Sequence, residues 1–251
     1  MTLVVDGIGV TFGGLRAVRD VSFKADVGRI TSLIGPNGAG KTTLLHAISG
    51  FQKPSTGTVH FSDRKLTGLK PFNIARQGLV RTFQKTEVFG TLTVLRAAQI
   101  GALRSIPARI RDLLFAGAKV RAEVNRLALE ALELCGLSDM VSKTCADLSY
   151  GEQRFLAFAV ALAAQPQMLL LDEPASGLNA TEAIRMRAIL DRLRSRSIGI
   201  VLVEHNMSLV MSISDRVVVL HHGELIADGT PSEIGKNPAV IEAYLGTSHV
   251  A

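Results

Sequence analysis

The apolar and polar positions divide the chain into two α/β stretches with a helical block between them. Residues 2–34 read as short strands. Val18-Arg19-Asp20-Val21-Ser22-Phe23 interleaves apolar and polar residues as a half-buried strand does. Arg29–Ile34 predicts a second strand, which runs straight into a glycine-rich loop. Thr42–Ser49 then places Leu44, Leu45 and Ile48 on one side of a helix, and Gly50 ends it. Residues 57–83 predict a short strand pair, a turn at Lys70-Pro71 and a strand ending in Arg81-Thr82-Phe83. Residues 91–147 carry helical spacing, with Val124, Leu127, Ala131 and Leu134 along one amphipathic face. Beyond them, Met168–Leu171 is a wholly apolar strand and Thr181–Ser195 a helix. Ile198–Val203 is another buried strand. Arg216–Leu220 and Glu224–Asp228 form a hairpin turning at His222-Gly223, and a short helix closes the chain over Ala239–Leu245.

Alternating helices and continuous apolar strands imply a mainly parallel sheet covered on both faces. The expected division is an α/β core over about 1–84 and 165–251, with a helical subdomain inserted over about 85–164. There is no internal repeat.

Composition narrows the class. Hydrophobic residues make up 47% of the 251 positions, too many for a disordered chain, and charged residues only 20%. The net charge of +6 comes from scattered Lys and Arg. It fits an ordinary solvated surface, or one that sits near anionic phospholipid. No nucleic-acid motif accompanies it. Cys135 and Cys145 form no CxxC pair, which points to a reducing compartment without disulfides. The N-terminus lacks the pattern of a signal peptide, and the longest apolar run, Phe155–Ala164, is half a membrane span. A soluble intracellular chain is therefore expected.

The strongest chemical signal is Gly35-Pro36-Asn37-Gly38-Ala39-Gly40-Lys41-Thr42, followed by Thr43. Strand, glycine loop and helix in this order make a phosphate-binding loop. Glycines let backbone N–H groups turn toward phosphate oxygens, where a Cβ would intrude, and the helix adds its positive end. Lys41 would reach the β- and γ-phosphates of ATP, and Thr42 would offer a hydroxyl to Mg²⁺. Such a loop needs a carboxylate on a neighbouring strand. Asp172 ends the strand Met168–Leu171, and Glu173 beside it is placed to polarise an attacking water.

Leu148-Ser149-Tyr150-Gly151-Glu152-Gln153-Arg154 resembles the signature motif of the ATP-binding cassette (ABC) family, whose usual core is LSGGQ. Tyr150 and Glu152 depart from that core, while Ser149 and Gly151 keep the residues that approach the γ-phosphate of ATP on an opposite subunit. The resemblance extends along the chain. Gln84 matches the Q-loop glutamine, which senses Mg²⁺ and the attacking water. Ala175-Ser176-Gly177-Leu178-Asn179 resembles the D-loop, with Asn179 where Asp is usual. His205 matches the switch histidine that contacts the γ-phosphate. Phe12 matches the aromatic that stacks on adenine; its alternative is core packing. Phe12–Val18, Gly50-Phe51, Arg81–Gln84, Ser176–Asn179 and Asn237–Gly246 resemble the ATP-binding subunits of branched-chain amino acid importers, with urea, amide and lipopolysaccharide transport ATPases close by.

The resemblance implies a P-loop NTPase core with an N-terminal antiparallel β part and an inserted helical subdomain. It implies that ATP and Mg²⁺ are bound and ATP hydrolysed. Catalysis would fall to Glu173, His205 and Gln84, with the metal at Thr42, Gln84 and Asp172. Nucleotide would be held by Phe12, Gly35, Pro36, Asn37, Gly38, Ala39, Gly40, Lys41, Thr42, Thr43, Ser149 and Gly151. The implied partners are integral membrane permeases, a second ABC ATPase subunit and, indirectly, a solute-binding protein, at the inner face of the cell membrane. Val88, Phe89, Leu92 and Val94 are expected to line the groove for a permease coupling helix, or else to be local core. Two rivals stand beside this reading. One is a soluble non-transport ABC ATPase, opposed by the single cassette. The other is a regulatory cassette, opposed by the presence of Glu173 and His205.

Overall fold

A computed structural model describes residues 1–82, 90–104 and 117–245. The chain forms two compact units. The first comprises Met1–Leu79, Gln167–Glu173 and Leu193–Ala251; the second comprises Val80–Pro166 and Pro174–Arg192.

The first unit holds two sheets. In one, β1 (Thr2–Phe12) lies between β2 (Leu15–Asp26) and β4 (Thr56–Phe61), and β5 (Arg64–Lys65) edges β4, all antiparallel. The other sheet contains β3 (Ile30–Ile34), β7 (Met168–Asp172), β8 (Gly199–Val203), β9 (Arg216–His221) and β10 (Glu224–Gly229), and its strand order ends on β6 (Leu79–Arg81), of which Leu79 alone belongs to this unit. Its order is β10-β9-β3-β8-β7-β6. The pairs β3–β8, β3–β9 and β7–β8 are parallel, and the β9–β10 hairpin runs antiparallel. Both expected sheets are thus present.

Every residue of β3, β7 and β8 is buried because both faces of the sheet are covered, even where β3 carries Thr31 and Ser32. Leu33, Val218 and Leu220 join a core with Leu44, Leu45 and Ile48 of α1 (Lys41–Ile48) and with Val5, Val10 and Phe23 of the antiparallel sheet. Their neighbours Ile34, Val217 and Val219 face the other way. They pack with Val210 of α7 (Met207–Ile213), Ile234 of α8 (Pro231–Ile234) and Val240 of α9 (Pro238–Leu245).

The Lys70-Pro71 segment is not a turn, as the sequence predicts, but the start of a short helix, α2 (Pro71–Arg76), with Pro71 in its first turn. Proline's fixed φ suits that position, where its missing N–H costs no hydrogen bond.

In the second unit, α3 (Val94–Ala102), α4 (Gly117–Leu134) and α5 (Tyr150–Ala163) pack together. Gly101 allows the closest approach: a Cβ there would lie 2.0 Å from the Val160 carbonyl oxygen. On α4, Val124, Leu127 and Ala131 are buried as expected, together with Ala128 and Leu132, whereas Leu134 is half-exposed.

The unit boundaries differ from the sequence-derived ones. Residues 174–192, assigned from sequence to the α/β core, belong to the helical unit. Arg185, in α6 (Ala180–Ser195), donates to the carbonyls of Cys135 and Gly136 at 2.6 and 2.5 Å, and its guanidinium lies 4.3 Å from the centroid of the Phe155 ring. Those contacts tie the segment to α4 and α5. A pattern of strand followed by helix carries no sign of them.

Candidate nucleotide site

The glycine loop leaves β3 at its carboxyl end and opens α1. Gly35, Gly38 and Gly40 all have positive φ, at 149°, 79° and 95°. Their reasons for being glycine differ. A Cβ on Gly35 would fall 2.1 Å from the Leu220 carbonyl oxygen, and one on Gly40 would fall 2.5 Å from that of Ala17. Gly38 has open space on that side. The sequence reading attributed all three to room for phosphate. At Gly35 and Gly40 the protein's own backbone already excludes a side chain.

The β9–β10 turn supports the loop from behind. The Gly223 N–H donates to the Ala39 carbonyl at 3.1 Å, and Arg19 N–H donates to the Gly223 carbonyl at 2.7 Å. Along the loop, Asn37 and Gly38 are exposed, Pro36 and Gly40 are half-buried, and Gly35 and Ala39 are buried. Thr42 is exposed in the first turn of α1 and Thr43 half-buried.

Lys41 is 7% exposed, and its ammonium donates to the carbonyls of Gly35 at 2.7 Å and Pro36 at 2.9 Å. Burial pushes its pKa down, while the nearby carboxylates of Glu173 and Asp172 act in the opposite direction. The two acids reach it because β7 lies in the same sheet as β3, with β8 between them.

Asp172 is buried at the end of β7, paired in register with Val203 of β8. Glu173 follows with φ of 47°, unusual for a residue with a side chain, and its N–H donates to the Val203 carbonyl at 2.9 Å. Two residues beyond Val203 stands His205, whose Nδ1 lies 3.9 Å from Glu173 Oε1. The structure therefore gathers Lys41, Asp172, Glu173 and His205 at the carboxyl ends of parallel strands, where open α/β sheets bind ligands. Phe12 ends β1 and is 48% exposed, which removes core packing as its explanation. Across the hairpin it pairs with Leu15, two residues before Ala17, whose carbonyl abuts Gly40.

For Mg²⁺, the donors would be the Thr42 hydroxyl and the Asp172 carboxylate. These hard oxygens suit a cation that takes few protein ligands and completes its shell with water and phosphate. Among the described residues there is no cluster of three or more His, Cys, Asp or Glu side chains that would instead suggest an all-protein metal cage. Gln84, expected at the same metal, lies outside the described residues, as do Val88 and Phe89. Of the other groove candidates, Leu92 is half-buried and Val94 fully buried, so Val94 is local core.

The second unit presents two helix starts of matching design. Ser149 caps α5 through a reciprocal pair: Glu152 N–H donates to Ser149 Oγ at 3.3 Å, and Ser149 N–H donates to Glu152 Oε2 at 2.7 Å. The departure at position 152 thus completes a capping box. Asn179 and Glu182 repeat the arrangement at α6, with both bonds at 3.0 Å. Asn at 179 serves because its amide oxygen accepts as a carboxylate would. A Cβ on Gly151 would fall 2.0 Å from Glu182 Oε1, and one on Gly177 would fall 2.9 Å from the Tyr150 ring. Two glycines thereby let the signature segment and residues 175–179 pack closely. Their mutual packing was not legible in sequence.

The ABC transporter family profile matches residues 18–176. The chain belongs to the ABC transporter family. A second profile, that of branched-chain amino acid ATP-binding cassette transporters, matches residues 224–250 of this ABC protein. The chain is 43% identical over 252 residues to the high-affinity branched-chain amino acid transport ATP-binding protein LivG of Salmonella typhimurium, with 97% of each covered. It is 40% identical over 248 residues to BraF of Pseudomonas aeruginosa, a protein of the same description, again with 97% of each covered. Among solved structures, the ADP conformation of an ABC transporter's ATP-binding cassette superposes with a TM-score of 0.85 at 30% identity, covering 98% of this chain and 99% of that one. A nucleotide-free cassette gives 0.83 at 29% identity, with 97% and 99% covered. The protein is an ABC-type ATPase with the P-loop NTPase fold. Among the described residues no helix is long and apolar enough to cross a membrane.

Proposed function

We propose that this chain is the ATP-hydrolysing subunit of an importer for branched-chain or other amino acids. It would work at the inner face of the cell membrane with permease subunits, a solute-binding protein and a second ABC ATPase. The observation that carries the hydrolytic part is the meeting of Lys41, Asp172, Glu173 and His205 at the strand ends. The solute class rests on the relatives' names and on the profile over residues 224–250.

Residues 35–43 would cradle the phosphates, and Phe12 would stack on adenine. Lys41 would exchange its bonds to the loop carbonyls for the β- and γ-phosphates. Thr42 and Asp172, with Gln84, would hold Mg²⁺, which supplies neutralisation of phosphate charge. Glu173 would accept the proton of the water that attacks the γ-phosphorus in line. His205 would donate to the γ-phosphate oxygens as negative charge develops. Ser149 and Gly151 would close a composite site against ATP bound to the second subunit.

Glu173→Gln tests this assignment. The variant is expected to keep ATP affinity by calorimetry and to lose about 100- to 10,000-fold in turnover. Full turnover would remove Glu173 from the reaction. Leucine uptake by proteoliposomes that hold the chain with its permeases tests the solute class.

A further inference from the structure

The C-terminal segment has no part in the chemistry above, yet its helix packs on the cluster that contains Ile34, the residue before the glycine loop. On α9, Val240 and Ala243 are buried, and Tyr244 packs against the cluster formed by Ile34, Val210, Val217, Val219 and Ile234. Ile34 immediately precedes Gly35. Met207 and Met211 of α7, which begins two residues after His205, pack on the same cluster. The Tyr244 hydroxyl oxygen is enclosed, with less than 1 Å² accessible. The backbone of Gly35, the residue after Ile34, is a partner of that hydroxyl. Burial raises the phenol's pKa and this backbone partner works against the rise. On the other side of the same residue, the Gly35 carbonyl accepts from Lys41 Nζ at 2.7 Å. Gly35 is thus held between the C-terminal helix and the lysine expected on the phosphates.

We infer that Tyr244 is a positioning residue for the phosphate-binding loop, its hydroxyl steadying Gly35 so that α9 responds to nucleotide. The inference rests on the reading that residues 35–43 hold ATP. When Lys41 leaves the Gly35 carbonyl for phosphate, the Gly35 peptide readjusts, and its contact with the hydroxyl changes with it. A hydroxyl in a fixed apolar pocket registers that change, and the adjoining α7 offers a route toward His205.

The chain has two tyrosines, Tyr150 and Tyr244, and no tryptophan, which makes a direct test available. In a Tyr150→Phe chain labelled with 4-¹³C-tyrosine, Tyr244 gives the single ring signal. Adding ADP should shift it, with binding followed by calorimetry on the same sample. Separately, Tyr244→Phe keeps the ring and removes the hydroxyl. It should raise the Kd for ADP about threefold or more. Bound ADP with an unmoved Tyr244 signal, or an unchanged Kd in Tyr244→Phe, would overturn the inference. Failure to bind ADP at all would overturn the nucleotide-site reading itself.

Discussion

Gly38 and Gly40 share a left-handed backbone but not a neighbourhood, and the difference predicts unequal substitution costs. Gly38→Ala meets open space, so only backbone strain is added, about 1–2 kcal/mol. Gly40→Ala also drives a methyl into the Ala17 carbonyl and should cost more than about 3 kcal/mol. Urea unfolding of the two variants measures the gap, and equal costs would show that the β2 backbone yields. At this scale the sequence offers candidate side chains, because a phosphate loop and a carboxylate at a strand end are local patterns. It did not identify Tyr244, since nothing local marks a tyrosine near the chain end as a neighbour of Gly35.

The capped start of α5 is the element on which the signature segment depends. Ser149→Ala removes the acceptor for the Glu152 N–H and should cost about 1 kcal/mol. The Ser149 N–H, the largest influence, lowers the Glu152 pKa. A carboxylate with a folded pKa below its unfolded value stabilises at pH above the unfolded pKa, and the effect is lost as pH falls through the folded one. The stability difference between the wild type and Glu152→Gln should therefore be constant near neutrality and shrink below the ordinary glutamate range. Denaturant titrations between pH 7 and 3 would show it; a difference flat with pH would remove the charged cap. Element existence was largely legible from periodicity. The exceptions are α2, hidden by a proline that also suits turns, and the stripe on α4, which runs through Ala128 and Leu132 rather than reaching Leu134.

For the whole molecule, the proposed composite site requires a second subunit across the ATP. The Glu173→Gln chain should accordingly elute at about twice the monomer mass when ATP and Mg²⁺ are present, and as a monomer without them, because it would bind and not turn over. A second substitution, Ser149→Arg, should abolish the shift while leaving monomeric nucleotide binding intact. A monomer under all conditions would argue for a permease-dependent pairing or against the composite site.

What the sequence determined by itself are the features built from neighbours in the chain: the strand–loop–helix unit, the apolar strands and the order of motifs. Each depends on residues a few positions apart, whose spacing matches the period of a helix, a strand or a turn. Tertiary structure alone decided that Gly35 is closed in by Leu220, that Val94 is core and that residues 174–192 join the helical unit. It also packed Tyr244 against the cluster that contains Ile34, the residue before Gly35. These depend on which backbone passes close to which. Parallel strands and packed helices set that approach between distant segments, and no local pattern of side chains records it.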